Sequence, residues 1–165
     1  GNSMTNLITE IEKAAAFSTT GQIKRYHIDA VCTKVLDAVV FDLSDAITER
    51  RFDRAVALVH DLLAQKNPEV VIFSTIARHI QRLYAAKLNE SAHGSEKELL
   101  TLLGSASPYY ARRIRTAAHP LPGHWPRQSV VLCGQTDAAL KSSVADKQKL
   151  IELTLLEMAA GLEQT

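Results

Sequence analysis

The sequence predicts an all-α protein, a bundle of amphipathic helices. Three observations carry that expectation. Apolar residues recur at three- and four-residue spacing through most of the chain. No stretch of useful length alternates apolar and polar residues as a half-buried strand does. Helix start and stop residues punctuate the periodic runs. The pattern is strongest from Phe41 to Glu90, the stretch around which the rest is organised. There Ala55, Leu58, Val59, Leu62 and Leu63 mark one helix, and Ile72, Ile76, Ile80 and Leu83 mark the next. The stretch from Phe41 to Glu90 reads as three consecutive helices, these being the second and third; each has an apolar face to hide, so they pack on one another.

The earlier elements are shorter. Leu7, Ile8, Ile11, Ala14 and Ala15 predict a first helix, closed by the polar turn Thr19-Thr20-Gly21. Asp29 opens a second, carrying Ala30, Val31 and Leu36, and a boundary is expected between Lys34 and Val40. Asn67-Pro68 separates the two strong runs: Asn can cap the following helix, and Pro suits its first position. The second run is expected to end near Ser91-Ala92-His93-Gly94, with Gly94 as the left-handed cap. Ser95-Glu96-Lys97-Glu98 is a capping box opening a helix with Leu99, Leu100, Leu102 and Leu103, which Gly104 stops. Ser107-Pro108 starts another helix, Tyr109 to Ala118.

After the proline-rich loop His119 to Pro126, helix resumes near Arg127 and runs through Val130, Val131, Leu132, Ala138 and Leu140. Gly134 inside it costs about 1 kcal/mol relative to Ala, so a close helix contact is expected there. Asp146 caps the last helix, whose apolar residues Leu150, Ile151, Leu153, Leu155, Leu156 and Met158 cover more than one stripe. Such a helix is either central to the core or shared with a partner subunit.

Composition excludes several function classes. At 46% hydrophobic, the chain of 165 residues can bury a substantial core; its net charge of +1 supplies no global field toward nucleic acid or membrane. No apolar run reaches membrane-spanning length, and no membrane partner is expected. Cys32 and Cys133 stand far apart in apolar stretches, as reduced, buried thiols of a cytoplasmic protein do. Gly1-Asn2-Ser3-Met4 has the look of an expression remnant, so the chain is expected to begin inside a larger protein.

The chemical constellations are weak. Asp42, Asp45, Glu49 and Asp53 lie near one another, but on helices built for packing. There is no Gly-rich phosphate loop, nucleophile elbow or HExxH motif, so no catalytic residue and no cofactor are expected. His119, His124 and Cys133 lack the close-set spacing of a zinc site, so no metal is expected. From Leu99 to Thr136 there is no Asp or Glu, while Arg112, Arg113 and Arg115 share one short helix behind Tyr109 and Tyr110. Two readings stay open there: a phosphate-contacting patch, or a solvated face with Ile114 and one Tyr turned inward. Asp137 and Lys141, four apart on a helix, are either an exposed pair or a register-fixing pair at a subunit junction, the first being favoured.

Several marks together resemble a known family. They are Phe41-Asp42-Leu43 with Asp45-Ala46-Ile47; Ala55 with Leu62-Leu63; Ile76-Ala77-Arg78 with Ile80, Arg82 and Leu83; Leu102-Leu103-Gly104 with Pro108-Tyr109; and Asp137 followed by Lys141. In order and spacing, from about Leu7 to Leu162, the chain resembles the C-terminal part of the delta subunit of bacterial DNA polymerase III, a clamp-loader subunit. The region after Tyr110 departs from the family's pattern, because His119 to Pro126 replaces a short helix-to-helix link.

The resemblance implies an architecture and a role. Residues 5–40 would be a remnant of the helical lid of an AAA+ module, and residues 41–164 the helical collar domain through which clamp-loader subunits oligomerise. Partners would be other clamp-loader subunits, with primer-template DNA as a further candidate. The sliding clamp would be reached only through an N-terminal domain outside this sequence. No intrinsic activity is expected of this piece, although the parent complex belongs to a DNA-directed DNA polymerase. On this reading the interface would draw on Asp137, Lys141, Ile151, Leu155 and Met158. The alternative is a helical nucleic-acid-binding module using Arg112, Arg113 and Arg115.

Overall fold

The computed structural model describes residues 51–142 and 146–163, together with residues 12, 16, 39, 41–43, 45–47 and 49. Apart from residues 12, 16 and 39, the two short helices expected before residue 40 and the lid-like remnant lie outside the described residues, as does Cys32. The chain divides into two compact units, Gly1–Val39 and Val40–Thr165. Within the second, residues 41–43 and 45–47 are helical. Six helices follow: α1 (Phe52–Ala64), α2 (Glu69–Ser91), α3 (Glu96–Leu103), α4 (Pro108–Ala118), α5 (Trp125–Ser142) and α6 (Lys147–Glu163). Among the described residues there is no strand.

The central element is α2, which packs against each of the other five helices. Its sequence dictates this place. Ile72, Phe73, Ile76, Ile80, Leu83 and Ala86 are buried at successive helical turns and form a broad apolar face. Phe41, Leu43, Ala46 and Ile47 are buried as well, so the start of this unit belongs to its core. Fully burying a side chain of this size contributes about 1.5–3 kcal/mol.

Local chemistry sets the helix ends. Ser95 and Glu98 form the expected capping box: Ser95 Oγ accepts from Glu98 N at 3.3 Å, and Glu98 Oε2 accepts from Ser95 N at 2.6 Å. These hydrogen bonds hold the Glu98 carboxyl below its ordinary range. Gly104 closes α3 in the left-handed region, at φ 59°. Ser107 caps α4 through Tyr110 N, with Pro108 in the first turn, so the helix begins one residue before the expected Tyr109. Asp146 caps α6 through Lys149 N at 3.2 Å.

Three local expectations are corrected. Asn67 does not cap α2; its side chain donates to Leu62 O at 2.9 Å, satisfying the end of α1 instead. The left-handed residue after α2 is His93, at φ 51°, not Gly94. Gly94 is needed for space: a Cβ there would stand 2.1 Å from Asn89 Nδ2, the amide that reaches across to Ser95 O. Helix α5 begins at Trp125, two residues before Arg127, because Trp125 and Pro126 are both buried and anchor its first turn.

The α5–α6 pair is held in register by two polar contacts in an apolar setting. Trp125 Nε1 donates to Met158 O at 2.6 Å. Thr154 Oγ1 donates to Leu150 O at 2.7 Å, which uses its one proton. Thr136 is therefore the donor in the 2.8 Å Thr136–Thr154 bond, and both hydroxyls are buried and satisfied.

Candidate subunit interface

The last helix decides where a partner could bind. Ile151 is 0% exposed, and Leu155 and Met158 are 2% exposed. The structure thus places these three expected interface residues in the domain's own core. Leu153 and Leu156, on the same helix, are 48% and 47% exposed. Lys149 and Ala160 continue that exposed row one turn to either side. Helix α6 therefore carries apolar side chains on two faces, one buried and one open. Periodicity showed apolar residues on more than one stripe; tertiary contacts, among them Thr136–Thr154 and Trp125–Met158, turn one of them inward.

Asp137 and Lys141 pair with each other on the surface of this chain, with Lys141 Nζ 2.6 Å from Asp137 Oδ2. Screened by water, the pair contributes a few tenths of a kcal/mol. Gly134, expected to receive a close helix contact, is exposed, and a Cβ added to it would meet nothing within 4 Å.

The three arginines of α4 each have a protein neighbour. Arg112 lies 3.8 Å from Glu96 of α3. The guanidinium carbon of Arg113 sits 4.0 Å from the ring centre of Phe41. Arg115 donates to Asn89 Oδ1 of α2 at 3.5 Å. Each thus meets a different neighbour of α4. Ile114 is buried, Tyr109 is 75% exposed and Tyr110 is partly buried.

The loop from His119 to Pro126 is anchored at both ends. His119 Nδ1 lies 2.6 Å from Glu90 Oε1, and Lys87 Nζ donates to both Glu90 Oε2 and His119 O. Leu121 and Trp125 are buried below it. The loop thus closes one end of the bundle. His60, on α1, makes an analogous clasp to Glu152 on α6, at 2.6 Å, and Gln148 donates to the same carboxylate.

Among the described residues of the second unit, no reactive set is assembled. Cys133 is a free thiol whose pKa burial pushes up to about 12, so it holds its proton and is no nucleophile or ready metal ligand. Among the described residues no three His, Cys, Asp or Glu side chains are grouped to hold a metal. An open hollow of about 480 Å³ at the start of α1 is lined by Arg51, Phe52, Asp53 and Arg54. It offers one carboxylate and no histidine or cysteine. Burial raises the pKa of Asp45, against the lowering effect of Arg113, and Asp42 and Glu49 share its region. Among the described residues no helix is long and apolar enough to cross a membrane.

His79 is one of the buried polar residues that the sequence expectations did not single out. It stands between Ile76 and Leu83 on the apolar stripe of α2, a spacing that signalled its burial. Its ring meets Phe41 edge-on at 4.7 Å, and its Nε2 has no hydrogen-bond partner among the described residues. Burial, aided by Arg82 and Arg113, lowers its pKa from 6.5 to about 4. The unfolded chain therefore binds a proton that the folded one refuses, and stability falls as pH drops from 6.5 toward 4. By pH 4.5 the loss from this one group is about 2–3 kcal/mol. Urea unfolding at pH 7 and pH 4.5 checks it: His79→Leu should lose less stability between the two than the wild type by about that amount. Equal losses would contradict the assignment.

The sequence matches the family described as DNA polymerase III delta subunit, C-terminal domain, over residues 37–158. The structure is similar to that of the Bacillus subtilis DNA clamp loader delta protein, with a TM-score of 0.71 and 20% sequence identity. The similarity covers 94% of this chain and 46% of that one, so the chain spans just under half its length. At that identity the likeness speaks for the fold alone. No curated protein sequence matches the chain.

Proposed function

The chain belongs to the family of C-terminal domains of the DNA polymerase III delta subunit, and we propose from that premise that it is an assembly module of a clamp loader. It joins other clamp-loader subunits by burying apolar helix surface and performs no chemistry of its own. Residues 41–164 act as the collar-like oligomerisation domain, and residues 5–40 as the end of an AAA+ lid. The division of the chain between Val39 and Val40 supports that partition. The role is cytoplasmic, within the DNA polymerase III replication machinery. Contact with the sliding clamp belongs to a part of the protein outside this sequence.

The observation that carries this reading is the open apolar face of α6. Leu153 and Leu156 are about half exposed on a helix whose opposite face is already in the core. A helix that is apolar on both sides has a second surface left to cover. A standard junction buries about 1,200–2,000 Å² in total, and the outer faces of the last two helices are where we place this chain's share.

Binding of primer-template DNA through Arg112, Arg113 and Arg115 is the competing reading. Its support is the acid-free run from Leu99 to Thr136; against it stands the engagement of each arginine with a different protein neighbour. Salt separates the two. Phosphate contacts weaken steeply as salt rises, whereas an apolar junction does not. Mixed with the other clamp-loader subunits of its organism, the chain should associate to a similar extent at about 0.1 and 0.5 M salt. On its own it should not retard primer-template DNA at micromolar concentration and low salt. Association lost with salt, together with DNA binding abolished by Arg112→Ala/Arg113→Ala/Arg115→Ala, would reverse the order.

A further inference from the structure

The outer face of α4 gathers groups suited to recognition. Tyr109, Arg112, Arg113 and Thr116 are spaced so that they share one face of the helix, and all four are exposed, Tyr109 at 75%. The residues that α4 sends into the core, Ala111, Ile114 and Ala118, lie on its other side. The Arg112 side chain is 68% exposed, and Glu96 Oε1 stands 3.8 Å from its Nε, beyond hydrogen-bond reach. Arg113 holds its guanidinium over the Phe41 ring, 4.0 Å from the centre. A guanidinium held this way by cation–π attraction keeps N–H groups at its rim for an acceptor. Among the described residues neither guanidinium donates a hydrogen bond.

We propose that this face docks a short acidic segment of another protein, which sets an apolar side chain on Tyr109 and carboxylates on Arg112 and Arg113. Charge complementarity selects that occupant. No Asp or Glu occurs from Leu99 to Thr136, so the row is positive along its length. Its flanks are acidic: Glu96 stands beside Arg112, and Asp45 lies within the electrostatic reach of Arg113. A positive spot bordered by acids attracts carboxylates placed on it and repels a phosphate chain that runs on past it. Tyr and Arg are also the residue types that carry most binding energy at protein junctions. Arg113, already held on Phe41, loses little freedom when it binds. From Tyr109 to Thr116 the row is about 10 Å long, room for about three residues of extended chain, so the contact is small and weak. The inference stands apart from the assembly reading, since neither Leu153 nor Leu156 takes part in it.

Fluorescence anisotropy on the whole chain at about 0.05 M salt tests this. The probes are a short labelled peptide with one phenylalanine among aspartates, the same peptide with asparagines in their place, and a single-stranded oligonucleotide of the same charge. The aspartate peptide should bind with a Kd on the order of 100 μM, and the other two at least roughly tenfold more weakly. Tyr109→Ala and Arg112→Ala should each weaken the aspartate peptide about fivefold to tenfold. Arg127→Ala, in the same acid-free run but off this face, should leave binding unchanged. Arg113→Ala would also uncover Phe41, so Arg113→Lys is the third variant; it keeps the charge, loses the planar fork, and should weaken binding about threefold at an unchanged thermal midpoint. No binding of the aspartate peptide, equal binding of the asparagine peptide, or wild-type binding by Tyr109→Ala and Arg112→Ala would each overturn the proposal. Tighter binding of the oligonucleotide, lost in Arg112→Ala, would overturn it in favour of nucleic acid.

Discussion

Replacing Leu153 and Leu156 together with aspartate is expected to weaken association with the other clamp-loader subunits by roughly a hundredfold or more. Far-UV circular dichroism and the thermal midpoint should stay near their wild-type values. Both side chains are about half exposed in the isolated chain, so a carboxylate at either position can remain hydrated there. In a junction the same positions are covered. Each substitution then forfeits apolar burial worth about 1–2 kcal/mol and places an unpaired charge where desolvation is costly. Two such sites exceed the 2.8 kcal/mol or so that a hundredfold change represents. The adjacent position gives the internal contrast. Leu155 is 2% exposed, and Leu155→Asp should abolish folding itself, visible as lost helicity. Titration calorimetry and thermal melts of the two variants, side by side, separate surface from core on one helix.

Trp125→Ala is expected to be the most damaging single truncation short of a buried charge, with a loss of about 3–5 kcal/mol in urea unfolding at pH 7. The indole is 1% exposed at the start of α5. Its N–H satisfies Met158 O at 2.6 Å, and its ring borders Gly161, where an added Cβ would lie 3.4 Å from Trp125 Cδ1. Truncation removes the largest buried side chain at the α5–α6 junction and leaves the carbonyl short of its partner. Trp125→Phe should recover most of the packing but not the hydrogen bond, and fall about 1–2 kcal/mol below wild type. A loss under about 1 kcal/mol for Trp125→Ala would mean that the α5–α6 register does not depend on this residue.

Much of this was legible in the chain because the signals are local. The capping box at Ser95 and Glu98, the cap at Ser107 and the stop at Gly104 each involve residues three or four apart, and all three appear as expected. The core face of α2 followed from periodicity alone. What sequence could not divide was decided by tertiary contact. On α6 the rows Ile151-Leu155-Met158 and Leu153-Leu156 are equally apolar, and the Thr136–Thr154 bond, between residues eighteen apart in the chain, settles which row is inward. Asn67 could serve the helix behind it or the one ahead, and both its backbone N–H and its side-chain amide turn back to Leu62 O. The arginines of α4 left two readings open in sequence, a phosphate-contacting patch or a solvated face; what sequence could not supply is their neighbours, Glu96, Phe41 and Asn89, on three different elements. At Gly134, where a close helix contact was expected, an added Cβ would meet nothing within 4 Å among the described residues.

These expectations share one root: the chain works by pressing helix surface against other members of a clamp loader. Size-exclusion chromatography with light scattering probes that root without intermediaries, on the chain mixed with the other clamp-loader subunits of its organism. The 18.1 kDa chain should elute within a larger complex of defined stoichiometry, and Leu153→Asp/Leu156→Asp should return it to its own mass. A wild-type chain that stays at its own mass with every partner present would refute the assembly role.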